Sequence, residues 1–270
     1  MKETLAWRKE FQVDLLRDCF QLGFSQDDNI SPATCDSDAM ESCSSSSSSS
    51  SSSSTTPSPP SSLAGMAKIF RDILWNESES AKVYVRGYDV EGRAVIYLRP
   101  GRNNAHYHDE SSNMRLLVWN LEKAIAVSER NGQTKIVSIV DFEGFSLRHA
   151  PPMRTIQHTM EVFQKHYPER CHKFYLTHPP FIFKTIWSAV KHFLDPRTRA
   201  KIVFCSGKTG QDILDFELGG GRHEAFAGGN GDHSVKLFDR HEYFLLDLDE
   251  GFDDASWPTF GKKKMTQQQY

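Results

Sequence analysis

The feature that most constrains the fold is an alternation of short apolar runs with longer amphipathic segments. The runs, rich in β-branched and aromatic residues, span 82–89, 93–99, 136–140, 174–177 and 202–205. The segments 112–130, 151–166 and 181–194 repeat apolar residues at three- or four-residue steps, which is typical of helices. Strands alternating with helices of this length require crossover connections. The sequence therefore predicts an α/β fold with a mostly parallel β-sheet flanked by helices.

A low-complexity stretch sets the domain organisation. Residues 44–54 are unbroken serine and are followed by a Thr-, Pro- and Ser-rich segment. Such a segment has no apolar surface with which to offset the entropy of ordering, so we predict a disordered linker over 25–63. It separates an amphipathic helix within 1–24, which extends from Leu5 to Leu22, from a globular domain over 64–250. A polar tail over 251–270 is predicted to be flexible.

Charge and cysteine content exclude several classes of protein. Lys and Arg number 32 against 35 Asp and Glu, and a net charge of -3 argues against a polybasic nucleic-acid binder. No apolar run approaches the ~18 residues of a membrane span, and the N-terminus has no apolar secretory core. The five cysteines form no C-x-x-C pair, which indicates reduced thiols. We expect a cytoplasmic monomer that does not bind nucleic acid.

Motifs that could carry catalysis are incomplete. The segment 206–209 (SGKT) resembles the end of a phosphate-binding loop, but Ile202 stands where that loop needs a glycine, so we predict a strand-to-helix turn. His106 and His108 have no third metal-ligand cluster near them in sequence, and we predict a solvated loop. Haem ligation by a His or Tyr stays an alternative. Neither Cys171 nor Cys205 begins a phosphatase loop, and there is no G-x-S-x-G or H-E-x-x-H.

We therefore predict a binding module rather than an enzyme, with no catalytic residues, no metal and no cofactor. A small-molecule hydrolase would need a nucleophile and a base that the motif search does not supply.

Several spaced motifs, taken in order, resemble the CRAL-TRIO lipid-binding family in its phosphatidylinositol-transfer branch. They are the segments 82–93 (KVYVRGYDVEGR), 139–144 (IVDFEG), 166–170 (HYPER), 179–181 (PPF) and 193–201 (FLDPRTRAK). The resemblance extends from residue 66 to about residue 250. Segment 4–11 (TLAWRKEF) also resembles the last helix of the small helical subdomain that precedes this fold, so 1–24 would be a remnant of that subdomain.

The resemblance implies a hydrophobic lipid pocket floored by the sheet and covered by a mobile gate helix. The gate would be the segment 181–194, and its cavity-facing residues are predicted to be Phe181, Phe183, Ile186, Trp187 and Val190. Shielding an acyl chain from water is worth ~0.8 kcal/mol per CH₂, so a dry pocket can hold one phospholipid. The resemblance also implies a transient membrane surface as a partner, with a lipid kinase as a further candidate. The protein would be cytoplasmic and peripheral to membranes.

The headgroup residues follow from the same resemblance. Glu169, Thr198 and Lys201 match the positions that hold the inositol phosphate in this branch, and their carboxylate, hydroxyl and amine suit that role. Ser138 matches one of two hydroxyl positions that bind phosphatidylcholine, while Ile136 occupies the other. We therefore expect a phospholipid ligand, phosphatidylinositol, and a weakened choline-lipid site.

Some departures from the family pattern support an alternative. The helical subdomain is short, Thr177-His178 replaces the usual apolar-Asn pair, and the double glycine after the last strand is recognisable only at 228–229. The alternative is a degenerate member that acts as a regulatory or interaction module without lipid transfer.

Overall fold

The structure is a computed structural model that describes residues 2–22, 62–103, 109–146, 150–181, 183–219 and 244, without the side chains of 184–186 and 189. The helices are α1 (Lys2–Phe11), α2 (Val13–Asp18), α3 (Leu63–Glu77), α4 (Glu110–Arg130), α5 (Met153–Glu161), α6 (Phe183–Val190), α7 (Pro196–Ala200) and α8 (Gly207–Leu218). The strands are β1 (Val83–Tyr88), β2 (Ala94–Leu98), β3 (Ile136–Asp141), β4 (Cys171–Thr177) and β5 (Ile202–Cys205). A π-helical turn, Val162–His166, continues α5.

The described strands form one sheet in the order β1-β2-β3-β4-β5. β1 pairs with β2 antiparallel, and every later pair is parallel. Because each parallel pair is joined through a helical crossover, the pattern confirms the predicted α/β fold with a mostly parallel sheet flanked by helices. Most residues of β1, β2 and β3 are buried on both faces, as in the fully apolar run 94–98.

The first amphipathic segment differs from its prediction, because it forms two helices instead of one. Gln12 adopts a left-handed backbone conformation (φ 59°) between α1 and α2. The break changes the direction of the chain, so that Val13 and Leu16 of α2 are fully buried where α2 packs against α4. No residue of α1 is buried.

Helix α3 is an element that the sequence interpretation missed. Ser62 caps it by accepting a hydrogen bond from the Gly65 N–H, and Ala67, Phe70 and Leu74 are its buried apolar face. The helix begins at Leu63, which the sequence interpretation had placed at the end of the linker. The rest of the predicted linker, the predicted tail 251–270 and the glycine pair 228–229 lie outside the described residues, as do His106 and His108.

The segment 206–209 forms the predicted strand-to-helix turn. β5 ends at Cys205 and α8 begins at Gly207, directly after it. A Cβ built on Gly210 would lie 2.4 Å from the backbone carbon of Cys205, so the helix approaches the strand too closely for any larger residue.

Candidate ligand-binding site

One face of the sheet floors two cavities. Cross-strand partners share a face, and the partners Val83, Leu98 and Val140 line a cavity of about 290 Å³. Phe174 pairs with Ser138, two residues before Val140, and therefore belongs to the same face. It lines a second cavity, of about 220 Å³. We call them the carboxyl-edge cavity and the amino-edge cavity, after the ends of the parallel strands at which they lie.

The amino-edge cavity brings three of the predicted headgroup residues together. Glu169, Thr198 and Lys201 all line it, although Glu169 precedes β4 and the other two residues precede β5. The Lys201 ammonium donates to the Glu169 carboxylate at 3.0 Å. This bond and the positive charge of Lys201 hold the pKa of Glu169 below its ordinary value. The Glu169 carboxylate is therefore ionised at neutral pH.

Thr198 is held by the cap of α7. The Asp195 carboxylate accepts hydrogen bonds from the Arg197 and Thr198 N–H groups at 2.8 and 2.9 Å. It also accepts the Thr198 hydroxyl proton at 2.5 Å, and this bond is the main cause of the lowered Asp195 pKa. Because its proton is donated to Asp195, the Thr198 hydroxyl can contact a ligand by accepting a hydrogen bond from it. Its proton becomes available only if the bond to Asp195 opens.

Ser138 does not line the amino-edge cavity. Its side chain is fully buried in β3, and its Oγ lies 3.9 Å from the Sγ of Cys171. Cys171, its neighbour, is among the cavity-lining residues. A role for Ser138 in headgroup binding stays a prediction.

The predicted gate residues fall on and beside α6. Phe181 precedes the helix and is 96% exposed, whereas Phe183 is buried. Phe183 and Trp187 pack against Phe204 of β5 with ring centroids 6.0 and 5.4 Å away, and Phe183 also contacts Phe142 at 4.6 Å. An aromatic cluster thus fills the space where α6 meets the sheet. Val190 is half-buried at the end of the helix, and the Ile186 side chain lies outside the described residues.

A polar cluster around the buried Asp141 carboxylate crosses the carboxyl ends of β2, β3 and β4. The Asp141 Oδ1 atom accepts from the Thr177 hydroxyl at 3.0 Å and lies 2.9 Å from the His178 Nδ1 atom. Its Oδ2 atom lies 3.6 Å from the Nε atom of Arg99, and Arg99 lines the carboxyl-edge cavity. The sequence interpretation noted Thr177-His178 only as a departure from the family pattern. The sequence feature that could have indicated this cluster is Asp141, an aspartate at the end of a buried strand.

A family comparison decides the classification. The family model of the CRAL/TRIO domain matches residues 78–220, more than half of the chain.

The chain belongs to the CRAL/TRIO domain family.

Three curated relatives of this CRAL/TRIO chain illustrate its similarity. It is 30% identical to the phosphatidylinositol transfer protein CSR1 of Eremothecium gossypii over 58% of its own length and 37% of that protein. It is 34% identical to the phosphatidylinositol transfer protein PDR17 of Saccharomyces cerevisiae, over 47% of this chain and 37% of the relative. It is also 34% identical to the SEC14 cytosolic factor of Yarrowia lipolytica, over 51% of this chain and 31% of that protein.

The alignments confirm the resemblance on which the sequence analysis depended. The chain spans about a third of the length of these relatives. The crystal structure of Sfh5 matches this chain with a TM-score of 0.45 at 21% identity, covering 52% of this chain and 53% of that one.

Within the described parts of this CRAL/TRIO chain, no helix is long and apolar enough to cross a membrane.

The site also includes a connection to α1 that sequence reasoning missed. Arg8 donates two hydrogen bonds to the Glu122 carboxylate at 2.7 and 3.2 Å, and the Tyr167 hydroxyl donates to the same group at 2.6 Å. Trp7 stacks on His166 with ring centroids 4.1 Å apart. Since Tyr167 lines the amino-edge cavity, α1 contacts the wall of the candidate headgroup site. Arg8 and Glu122 are 114 residues apart in sequence, and no local pattern links them.

Proposed function

We propose that this protein is a non-enzymatic lipid-binding and transfer protein that shields one phospholipid and exchanges it at membranes. The observation that carries the proposal is the convergence of Glu169, Thr198 and Lys201 on one cavity above the sheet. Three relatives within the same family support it, two of which are named as phosphatidylinositol transfer proteins. The alternative of a module without lipid transfer has no comparable support.

We propose phosphatidylinositol as the ligand, with its phosphate and inositol at the amino-edge cavity. Lys201 is only 22% exposed and pairs with a carboxylate that is 60% exposed. Because the carboxylate of this pair is open to solvent, the attraction is screened, and the ammonium can exchange Glu169 for a phosphate at little cost. Glu169 would then accept hydrogen bonds from the inositol hydroxyls, and Thr198 would accept from another. Ser138 does not line this cavity and has no part in the proposed contacts.

The gate would release the lipid when α6 separates from Phe142 and Phe204. Opening would expose aromatic rings that favour the membrane interface, where Trp is enriched. Phe181 is already exposed next to the helix and would be the first ring to enter a bilayer. The protein would act as a cytoplasmic monomer at a transient membrane surface. Presentation of the lipid to a kinase is a further part of the proposal.

The test is transfer of labelled phosphatidylinositol between vesicles by the wild type and by Lys201→Ala. We expect the variant to lose at least about tenfold in transfer rate, because a charge-assisted bond to phosphate contributes roughly 1.5–3 kcal/mol. Lys208→Ala is the matched control, since Lys208 is exposed on α8 and does not line the amino-edge cavity. Equal transfer by all three proteins would refute the headgroup assignment.

A further inference from the structure

The side chain of Gln164, in the π-helical turn 162–166, contacts the end of the proposed gate segment. Its Nε2 atom donates to the Phe193 carbonyl at 2.9 Å, and its Oε1 atom accepts from the Asp195 N–H at 2.7 Å. The bridge needs one donor and one acceptor, which a primary amide supplies. Gln164 also lines the amino-edge cavity, together with Asp195 and Thr198. One side chain therefore contacts both the end of the gate segment and the candidate headgroup site.

The π-helical turn that carries Gln164 is anchored in the core. Val162 and Phe163 are both buried, and the Phe163 ring lies edge-on to the Phe174 ring of β4 with centroids 5.7 Å apart. Helix α1 packs on the other side of the turn, where the Thr4 hydroxyl donates to the Lys165 carbonyl at 3.2 Å. The turn is therefore a fixed part of the cavity wall.

The stretch 191–199, which contains the end of the gate segment and helix α7, is held together by bonds of its own. The Arg199 guanidinium donates to the Lys191 and Leu194 carbonyls at 3.1 and 3.3 Å. The cap of α7 is also internal to this stretch. These bonds can persist if the stretch moves as a unit. The two bonds of Gln164 join the stretch to the wall, so they must break when it moves away.

We propose that Gln164 is a positioning residue that couples the gate to the headgroup site by fastening residues 193–195 to the cavity wall. While its two bonds hold, the gate segment stays closed at this end and the α7 cap keeps Thr198 at the amino-edge cavity. Their loss frees the gate end and displaces Thr198 together. Because coupling is reciprocal, a bound headgroup also delays opening of the gate. The inference rests on the proposed lipid transfer and names the residue that links headgroup binding to lipid release.

The test is Gln164→Glu, which keeps the size of the side chain and its acceptor but replaces the donor with a charged oxygen that faces the Phe193 carbonyl. At pH 7.5 we expect this variant to release labelled phosphatidylinositol into acceptor vesicles about tenfold faster than the wild type. Gln157→Glu is the matched control, because Gln157 is exposed on α5 and is not among the residues that line either cavity. It adds the same charge and should release the lipid at the wild-type rate.

The pH dependence of release separates positioning from a general loss of structure. A protonated carboxylic acid has both a donor and an acceptor, as the amide has. The excess release rate of Gln164→Glu over the wild type should therefore fall as the pH is lowered from 7.5 to 4.5, close to the ordinary glutamate pKa of ~4.3. Gln164→Met lacks the donor at every pH, so its excess over the wild type should not change.

Hydrogen exchange of the backbone amides of 193–199 tests the fastening without lipid, and it should be faster in Gln164→Glu than in Gln157→Glu. Equal release or equal exchange by these two variants would overturn the inference alone. So would an excess release rate of a folded Gln164→Glu protein that does not change down to pH 4.5. A wild type that takes up no phosphatidylinositol would overturn the proposed function and this inference with it.

Discussion

Cys171 shows how the environment of one side chain limits its chemistry. It lines the amino-edge cavity beside the candidate headgroup residues. Burial raises the pKa of its thiol to about 12, well above the ordinary value of 9.0. The thiolate is the reactive form, so Cys171 is chemically inert at neutral pH although it adjoins a cavity.

The residue-scale prediction concerns alkylation of Cys171 by iodoacetamide at pH 8. The pKa of Cys171 is raised from 9.0 to about 12. At a pH below both values, its thiolate fraction is therefore on the order of a thousandfold smaller than that of an ordinary thiol. We expect alkylation of the native protein to be slower by a similar factor than that of the urea-unfolded protein, measured by peptide mass spectrometry. Comparable rates in the two states would show that the thiol is not buried as the structure describes.

At the residue scale, the sequence predicted which side chains lie close together better than it predicted their hydrogen bonds. The motifs placed Glu169, Thr198 and Lys201 in one site, and the structure brings all three to one cavity. They did not predict that the Thr198 hydroxyl donates a hydrogen bond to Asp195, or that Ser138 contacts Cys171. Both contacts depend on side-chain orientation, which a motif does not specify.

At the scale of elements, α1 is joined to the wall of the amino-edge cavity through one buried carboxylate. The Glu122 carboxylate of α4 accepts hydrogen bonds from both the Arg8 guanidinium and the Tyr167 hydroxyl. Burial and the charge of Glu122 raise the pKa of Tyr167 well above its ordinary value, so the phenol remains a donor. The π-helical turn 162–166 directly precedes Tyr167, and such turns are frequent at functional sites.

The element-scale prediction is that Arg8→Ala destabilises the protein by about 2 kcal/mol, because it leaves the buried Glu122 carboxylate without its cation. The expected loss of unfolding free energy is smaller than that for breaking a fully buried ion pair, because a quarter of the Arg8 side chain is exposed. Urea unfolding followed by circular dichroism measures the change. Lys9→Ala removes the same charge from an exposed position on α1 and should be neutral within about 0.5 kcal/mol. Equal losses in the two variants would contradict this account of how α1 docks.

Elements with strong periodicity were predictable, and those that depend on tertiary context were not. The long apolar face of α4 and the run 94–98 indicated a helix and a buried strand, and both form. The break at Gln12 carries no glycine or proline, so nothing in the local sequence indicated it. Helix α3 follows a serine-rich stretch whose composition obscured the cap at Ser62.

For the whole molecule, the arrangement places one apolar sheet face between two polar ends. Lys201 and Glu169 lie at the amino edge and Arg99 at the carboxyl edge, with α6, the proposed gate helix, packed on Phe204 of the same face. The family resemblance predicted the sheet, which the structure confirms, whereas the gate stays a prediction. The resemblance did not predict the aromatic contacts between α6 and the sheet, because that packing depends on the three-dimensional positions of Phe142 and Phe204.

The whole-molecule prediction is that Phe181→Ser weakens association with lipid vesicles about tenfold, since burying a phenylalanine side chain is worth about 1.5–3 kcal/mol. Phe216→Ser is the matched control, because Phe216 is 80% exposed but lies on α8, away from the gate helix. Vesicle co-sedimentation measures both. If the two variants bind vesicles equally, the gate is not the membrane-facing part of the molecule.

The measurement that tests the central claim most directly is native mass spectrometry of the purified protein, with identification of the released lipid. The account predicts a bound species heavier than the polypeptide by one phosphatidylinositol molecule, and a reduced amount of that species in Lys201→Ala. A protein that carries only its polypeptide mass after incubation with phosphatidylinositol vesicles would contradict it.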